Sequence, residues 1–392
     1  MRQLGIGGAK LRSAQPFLHA PCRYPGRIRI LFASDSIQDP PTGVGRVTLN
    51  WLHELDRLGV EITALAMHED ATVRAAAGNR LCVIPARTRF LRTALWHFDL
   101  LRRVARCGVE HDVLVVPSGY PCVLGSHPRL VLFVHDLSAL DAAHYRFGKR
   151  LWFKAFWPRS LGKARLLVCV SEHTRRTLLA RLPGLDPGRV VVVHNALPAD
   201  LEQRLSSAGT TQSSRRPHLL FVGTIEARKN LPRLLDAYAL AARTGTVQPL
   251  VLAGRRGHGS DAILARANAE DLRSLVTYRE APSESELVAL YASARALLFP
   301  SLDEGFGLPI LEAMAAGAAV LTSDRAAMPE IAGAAALIVN PTEVAAISAE
   351  IVRLCGKPGL CDDLAERGRA RVREFSSHTL ARVLWKHLQA IA

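Results

Sequence analysis

The chain has 392 residues, of which 49% are hydrophobic and 22% charged, and its formal net charge is +15. That length exceeds one ordinary core and predicts a globular protein of two domains. No apolar run approaches the ~20 residues that span a bilayer, and seven scattered cysteines without a Cys-x-x-Cys pair argue against a disulfide framework or structural zinc.

The charge is unevenly placed. Residues 1–200 carry 28 Lys and Arg against 15 Asp and Glu, whereas residues 201–392 carry 22 against 20. An acidic partner for the first half fits this: nucleic acid, an anionic membrane face or a phosphate-linked substrate. So does an Arg-rich composition with no function at all.

The opening segment, 1–26, is basic and lacks a continuous apolar stretch, so it reads as a tail rather than a secretory signal. A strand is expected at Ile28-Arg-Ile-Leu-Phe-Ala33, followed by Pro41-Thr-Gly-Val-Gly-Arg46 and a helix with core candidates Val47, Leu49, Leu52, Leu55 and Leu58. Gly43 and Gly45 before a helix N-terminus can present backbone N–H groups to an anion. A simple tight turn would look the same, since neither a full Gly-x-Gly-x-x-Gly nor a P-loop is present. Short apolar runs at Val60–Leu65, Val113–Val116, Leu130–Val134, Leu166–Val170 and Val190–Val193 read as buried parallel strands.

His135 directly follows the Leu130–Val134 run, at a strand end that opens into a cleft, where an imidazole can bond a hydroxyl or meet developing charge. His194-Asn195 has the same placement after Val190–Val193, and a structural role fits it equally. Two stretches mix bases with aromatics, residues 91–103 and 147–159. In the second, Trp152, Phe153, Phe156 and Trp157 lie among Lys149, Arg150, Lys154 and Arg159. Such a helix suits a membrane interface, and it equally suits aromatics turned toward a core.

Composition then shifts to Ser, Thr, Gly and Gln, predicting a linker over 206–217. Strand signals restart at Leu219–Val222, Pro249–Ala253, Leu297–Phe299, Ala319–Leu321 and Ala336–Val339. After the first of these comes Gly223-Thr-Ile-Glu-Ala-Arg-Lys-Asn230, with Asn230 as a helix N-cap and Pro232 in the first turn. Gly223 permits close backbone approach, and Arg228 and Lys229 bring two cations to the mouth of the sheet, a pairing suited to a diphosphate.

After Leu297–Phe299 comes Pro300-Ser-Leu-Asp-Glu-Gly-Phe-Gly-Leu-Pro-Ile-Leu-Glu312. Glu304 falls on the loop leaving a strand and Glu312 in the first turn of the next helix, where an acid also simply complements the helix dipole. Amides of Phe306, Gly307 and Leu308 would face a ligand at that helix start. Carboxylates here can accept bonds from paired sugar hydroxyls. No His-Glu-x-x-His occurs, and Asp362-Asp363 reads as a solvated helix face. The expected fold class is α/β: two doubly wound, Rossmann-like domains facing across a cleft, 27–205 and 218–378, with a final helix at 379–392 packing back on the first domain.

These residues carry a pattern. Glu304-x7-Glu312, Val222-Gly-Thr-Ile-Glu-Ala-Arg-Lys-Asn230, Leu252-Ala-Gly254, Glu286-Leu287, Tyr291, Pro300-Ser301 and Met328-Pro-Glu-Ile-Ala-Gly333 fit it, as do Gly43-Val-Gly-Arg46, Val134-His-Asp-Leu137 and Val170-Ser-Glu172. The chain resembles the retaining nucleotide-sugar glycosyltransferases of family 4, which have the GT-B fold, and its bacterial mannosyltransferase-like members in particular.

The resemblance implies transfer of a hexose from a nucleoside diphosphate sugar to a lipid-linked saccharide or polysaccharide. It also implies retained configuration, a same-face mechanism, and no metal or cofactor. Arg228 and Lys229 would neutralise the departing diphosphate, Glu304 contact the sugar and Glu312 the ribose. Gly43, Gly45 and Gly223 would approach the donor, and His135 the reacting carbon. The Thr-Ile-Glu-x-Arg-Lys-Asn form leans toward mannose, as GDP-mannose.

Two departures stand out: Asn195-Ala196 where relatives often have Asn-Gly, and 276–282 without the usual Gly. A nucleotide-sugar 2-epimerase on the same fold is the alternative. A nucleic-acid binder fits only the charge, because no recognition module is present. The expected location is cytoplasmic, peripheral on an anionic inner membrane face.

Overall fold

The computed structural model describes residues 28–37, 42–69, 71–77, 80–85, 92–140, 147–211 and 218–392. The tail at 1–26 lies outside them.

The first sheet contains β1 (Arg29–Ala33), β2 (Glu61–Ala66), β3 (Leu81–Val83), β4 (Val113–Val116), β5 (Leu130–Val134), β6 (Leu166–Cys169) and β7 (Val190–Val192). Its strands are parallel, in the order β3-β2-β1-β4-β5-β6-β7. Between them run α1 (Gly43–Arg57), α2 (Ala71–Ala77), α3 (Arg92–Phe98), α4 (Leu100–Val104), α5 (Phe147–Lys163) and α6 (Glu172–Arg181), and α7 (Ala199–Thr211) leads onward.

The second sheet contains β8 (His218–Val222), β9 (Leu250–Gly254), β10 (Val276–Glu280), β11 (Ala294–Phe299), β12 (Ala319–Ser323) and β13 (Leu337–Val339). It is also parallel, in the order β10-β9-β8-β11-β12-β13. Its helices are α8 (Leu231–Thr244), α9 (Ser260–Ala267), α10 (Glu284–Ser293), α11 (Leu308–Ala315), α12 (Met328–Ala332), α13 (Val344–Gly356), α14 (Pro358–Val372) and α15 (Ser377–Gln389).

Both sheets reverse direction of growth once, between β1 and β4 and between β8 and β11. Adjacent helices must diverge there, which leaves a crevice at the strands' C-terminal ends. Side chains alternate between two cores, as a strand buried on both faces requires. Ile30, Phe32, Val113, Val115 and Phe133 point into one cluster, while Leu31, Ala33, Leu114, Val116 and Leu132 point into the other. The α/β expectation of two doubly wound sheets holds.

The predicted linker does not hold as drawn. Residues 206–211 belong to α7, which packs on α10 and α11. Gly209 lies so close to the end of α11 that a Cβ there would stand 2.2 Å from the Ala316 carbonyl oxygen. The small residues that read as flexible are what lets two helices approach. Residues 212–217 lie outside the described structure.

The helix α15 packs against α1, with His378 Nδ1 3.7 Å from Glu54 Oε2. Buried Leu380, Leu384 and Leu388 dominate α15, at about 1.5–3 kcal/mol each. The exposed histidine adds less than about 1 kcal/mol.

In α5, Phe153 and Trp157 are buried, and the Trp152 ring packs tilted against Phe98 and Phe156, with centroids 5.0 and 4.7 Å apart. These aromatics therefore build the core of the first domain rather than an outward face. Leu151, Lys154, Arg159 and Lys163 are exposed.

Candidate active site

The crevice of the second sheet gathers the predicted charges. Strand β8 ends at Val222, and a single 3-10 turn over Ala227–Lys229 turns the chain into α8. Asn230 occupies the cap position with φ 61°, but its side chain does not cap the helix. Its Nδ2 donates instead to the Pro300 and Pro341 carbonyls, at 3.0 and 2.6 Å. The Leu302 amide donates in return to the Arg228 carbonyl at 3.0 Å. The two loops at the switch point are thereby stitched together, which presents Arg228 and Lys229 to Glu304.

Lys229 Nζ donates to Glu304 Oε1, and Arg228 Nη1 stands 3.4 Å from Glu304 Oε2. Arg228 also donates to the Asp303 carbonyl at 2.6 Å and lies 3.1 Å from Glu226. Burial works against the Glu304 charge, but Lys229 and then Arg228 outweigh it and hold the carboxyl below its ordinary range. Burial likewise opposes the Arg228 charge, and Glu304 and Glu226 push its pKa up nonetheless. Nearby Asp303 is raised, first by burial and then by Asp136. The result is a dense cluster of opposed acidic and basic groups.

Glu312 differs from its expected place. Helix α11 begins at Leu308 and has no acid in its first turn, so Glu312 falls in the second turn and turns inward. Its Oε2 accepts from the Tyr291 hydroxyl at 2.6 Å, and its Oε1 lies 3.4 Å from Arg46 of the first domain. Burial raises its pKa, and Arg46 and Tyr291 only partly offset this. Gly307 occupies the cap position of α11, followed by Leu308. Helix-start amides have no intrahelical acceptor, so this end is suited to anions or hydroxyls.

The first domain contributes differently. Gly43 and Gly45 form the first turn of α1 rather than a loop before it, capped by the Thr42 hydroxyl, which accepts from the Gly45 amide at 3.1 Å. A Cβ on Gly45 would stand 2.5 Å from the Ser36 carbonyl oxygen, so only glycine fits; at Gly43 nothing lies within 4 Å. His135 Nε2 donates to the Pro117 carbonyl at 2.5 Å. Burial lowers its pKa, which leaves a neutral ring with Nδ1 as acceptor.

The two lips meet at Gly305. A Cβ there would stand 1.6 Å from the His135 carbonyl oxygen, and the Gly305 carbonyl accepts from the Ser171 and Thr174 hydroxyls at 2.7 and 3.2 Å. The structure thus brings His135, Arg228, Lys229 and Glu304 to one cleft.

Phe306, placed among the donor-facing residues by its amide, sends its ring into the seam between domains, 6.1 Å from His194 and 5.9 Å from Phe375. Two further residues inside these motifs join the domains. Arg46 crosses to Glu312, and the Glu330 carboxylate binds His194 Nε2 at 2.7 Å. The signal for Arg46 was a cation one residue past the paired glycines. Glu286 turns out to be half of a capping box with Ser283, which explains its place in a motif without any ligand.

A two-domain cleft with a cation pair at one sheet's switch point is suited to a phosphate-bearing ligand. Residues 41–201 match the family model "Glycosyltransferase Family 4", and residues 203–371 match "Glycosyl transferases group 1". The chain belongs to the family 4 glycosyltransferases and is an enzyme of that class.

It is 29% identical over 371 residues to O-antigen chain mannosyltransferase B of Escherichia coli, covering 89% of this chain and 96% of that one. It is 27% identical to O-antigen chain mannosyltransferase RfbU of Salmonella typhimurium over 66% of this chain and 70% of the other. Anabaena Alr3699/HepE, solved in complex with UDP and glucose, superposes with a TM-score of 0.70 at 16% identity, covering 93% and 100% of the two chains. That likeness establishes the shared GT-B architecture, and the family matches favour a glycosyltransferase over the epimerase and nucleic-acid readings.

Proposed function

We propose that the protein transfers mannose from GDP-mannose to a lipid-linked saccharide of the O-antigen kind, with retained configuration and without a metal. The observation that carries this reading is the convergence of Arg228 and Lys229 on Glu304 at the switch point of the second sheet. The mannosyltransferase relatives support the choice of sugar.

The chemistry follows from the groups available. Breaking the bond between the sugar and the diphosphate leaves negative charge on the leaving oxygen, and two preorganised cations lower that cost. The acceptor hydroxyl forms the new bond on the same face, and its proton passes to the departing phosphate oxygen. Glu304 is anionic and its carboxylate oxygens can accept from sugar hydroxyls. Glu312, steadied by Tyr291 and Arg46, serves the ribose. His135, neutral through burial, offers Nδ1 to a sugar hydroxyl and does not act as an acid.

Among the described residues no helix is long and apolar enough to cross a membrane. The excess of basic residues in the first half supports peripheral attachment to the anionic cytoplasmic face of the membrane, where a lipid-linked acceptor resides.

Thermal stabilisation across GDP-mannose, UDP-glucose and UDP-galactose tests the donor, because a ligand at 100 times its Kd adds about 2.7 kcal/mol. GDP-mannose should give the largest rise, and the product should carry an α-mannosyl bond by NMR with EDTA present. A larger rise with a UDP-sugar, or a β product, overturns the reading. Binding to anionic vesicles that weakens with salt tests the attachment; no binding at low salt removes it.

A further inference from the structure

The first turn of α6 is completed by the other domain. An α-helix starts with N–H groups that have no partner of their own. In α6 one of them, from Thr174, goes to the N-cap hydroxyl of Ser171 at 3.1 Å. The amides of Glu172 and His173 donate to Glu330, at 2.8 Å to Oε1 and 3.0 Å to Oε2.

Glu330 lies on α12 of the second domain, and His194, just after β7, bonds the same carboxylate at 2.7 Å. The support behind Glu330 is firm. Arg371 of α14 donates to the Glu330 and Ile331 carbonyls, at 2.5 and 3.0 Å. Burial raises the Glu330 pKa, but the His194 bond and the two amides outweigh it and keep the group ionised.

This contact is tied to the reacting groups. Ser171 and Thr174, which hold the Gly305 carbonyl, belong to the same helix start that Glu330 fills. Gly305 follows Glu304 and packs on the His135 carbonyl. Strand β6, which feeds α6, is the neighbour of β5, which feeds His135. Moving α6 relative to α12 therefore moves His135 relative to Glu304.

We infer that Glu330 is a positioning residue for transfer: by closing the N-terminus of α6 across the cleft, it sets the alignment of the first-domain His135 with the second-domain Glu304. The carboxylate touches no reacting atom in this role. It needs both oxygens, one for each amide, and a charge that suits a helix N-terminus.

The activity arm rests on the transferase reading above; the scattering arm does not. Glu330→Ala should lower GDP-mannose turnover about 10–100-fold, the scale expected for misplaced reacting groups. Donor affinity, measured by calorimetry, should change little, because the cation pair lies wholly in the second domain. Small-angle scattering should show a wider molecule.

Glu330→Gln keeps an oxygen acceptor for one amide and should recover part of the activity. It also carries the test if the alanine variant fails to fold. Glu286→Ala, which removes a cap outside the contact of α6 with α12, should leave scattering and turnover at the parental level. Parental turnover and scattering in either Glu330 variant overturns the inference. So does a turnover loss that parallels an equal loss of donor affinity.

Discussion

The two lips of the cleft grow from sheets with equivalent switch points, yet they are built from different materials. The second-domain lip is charge-dense: Arg228, Lys229, Glu304 and Glu226 are interlocked and largely withdrawn from solvent. The first-domain lip contains a neutral histidine, a capped glycine turn and a helix start satisfied from across the cleft. The two domains divide the labour. Charge that develops on a leaving group is met by ions fixed in advance, whereas alignment comes from backbone contacts that tolerate no extra atom.

Breaking the charged lip should have the largest effect. Arg228→Ala combined with Lys229→Ala should cut transfer by about 10³-fold, by analogy with the loss of a preorganised electrostatic group; steady-state turnover checks it. Lys229→Ala alone leaves Glu304 buried with a weaker partner and should cost about 3–5 kcal/mol near neutrality. Glu304 titrates below its ordinary value in the fold, so the stabilisation of the pair is complete above that ordinary value. It is lost as pH falls through the depressed one. The Tm deficit of Lys229→Ala should therefore shrink in acid, and a deficit that is constant with pH would remove the pair from the account.

The meeting point of the lips comes next. Gly305→Ala puts a methyl group onto the His135 carbonyl and should reduce turnover about 10²-fold. Thermal stabilisation by the donor should remain, since the cations are untouched. Loss of donor binding instead would assign Gly305 to holding the donor with the charged lip.

Smaller again is Glu312→Gln, expected to raise the donor KM about tenfold with kcat nearly unchanged, as for an interaction made equally in ground and transition states. A fall in kcat alone would give Glu312 a part in the chemistry. The smallest effect belongs to Glu286→Ala, which loses its half of the Ser283 capping box. It should lower Tm slightly and leave both kinetic constants alone.

Much of the architecture was legible. Interior strands such as Leu130–Val134 are buried on both faces, so they must be continuous apolar runs, and such runs announce themselves. Two strands escaped. Leu81–Val83 and Val276–Glu280 are sheet edges with exposed positions: the first is only three residues long, and the second is broken by Thr277, Arg279 and Glu280.

The charged lip was legible for a related reason. Its residues are contiguous in sequence at strand ends, so position alone predicts convergence. The seam was not. Arg46 and Glu312 are separated by 266 positions, and Glu330 and His194 by 136. Glu312 itself was placed one turn too early on its helix, because the start at Leu308 depends on how Gly307 leaves the cleft.

Local sequence was enough for what is local in chain: strand against helix, a diphosphate-ready cation pair, and the carboxylate beside it. Tertiary packing was needed to show which groups are spent on each other. A Ser-, Thr- and Gly-rich stretch became a packed helix because Gly209 lets α7 approach α11, and aromatics amid basic residues became core because Phe98 lies beneath them. Those outcomes depend on distances between segments far apart in the chain, which no residue pattern encodes.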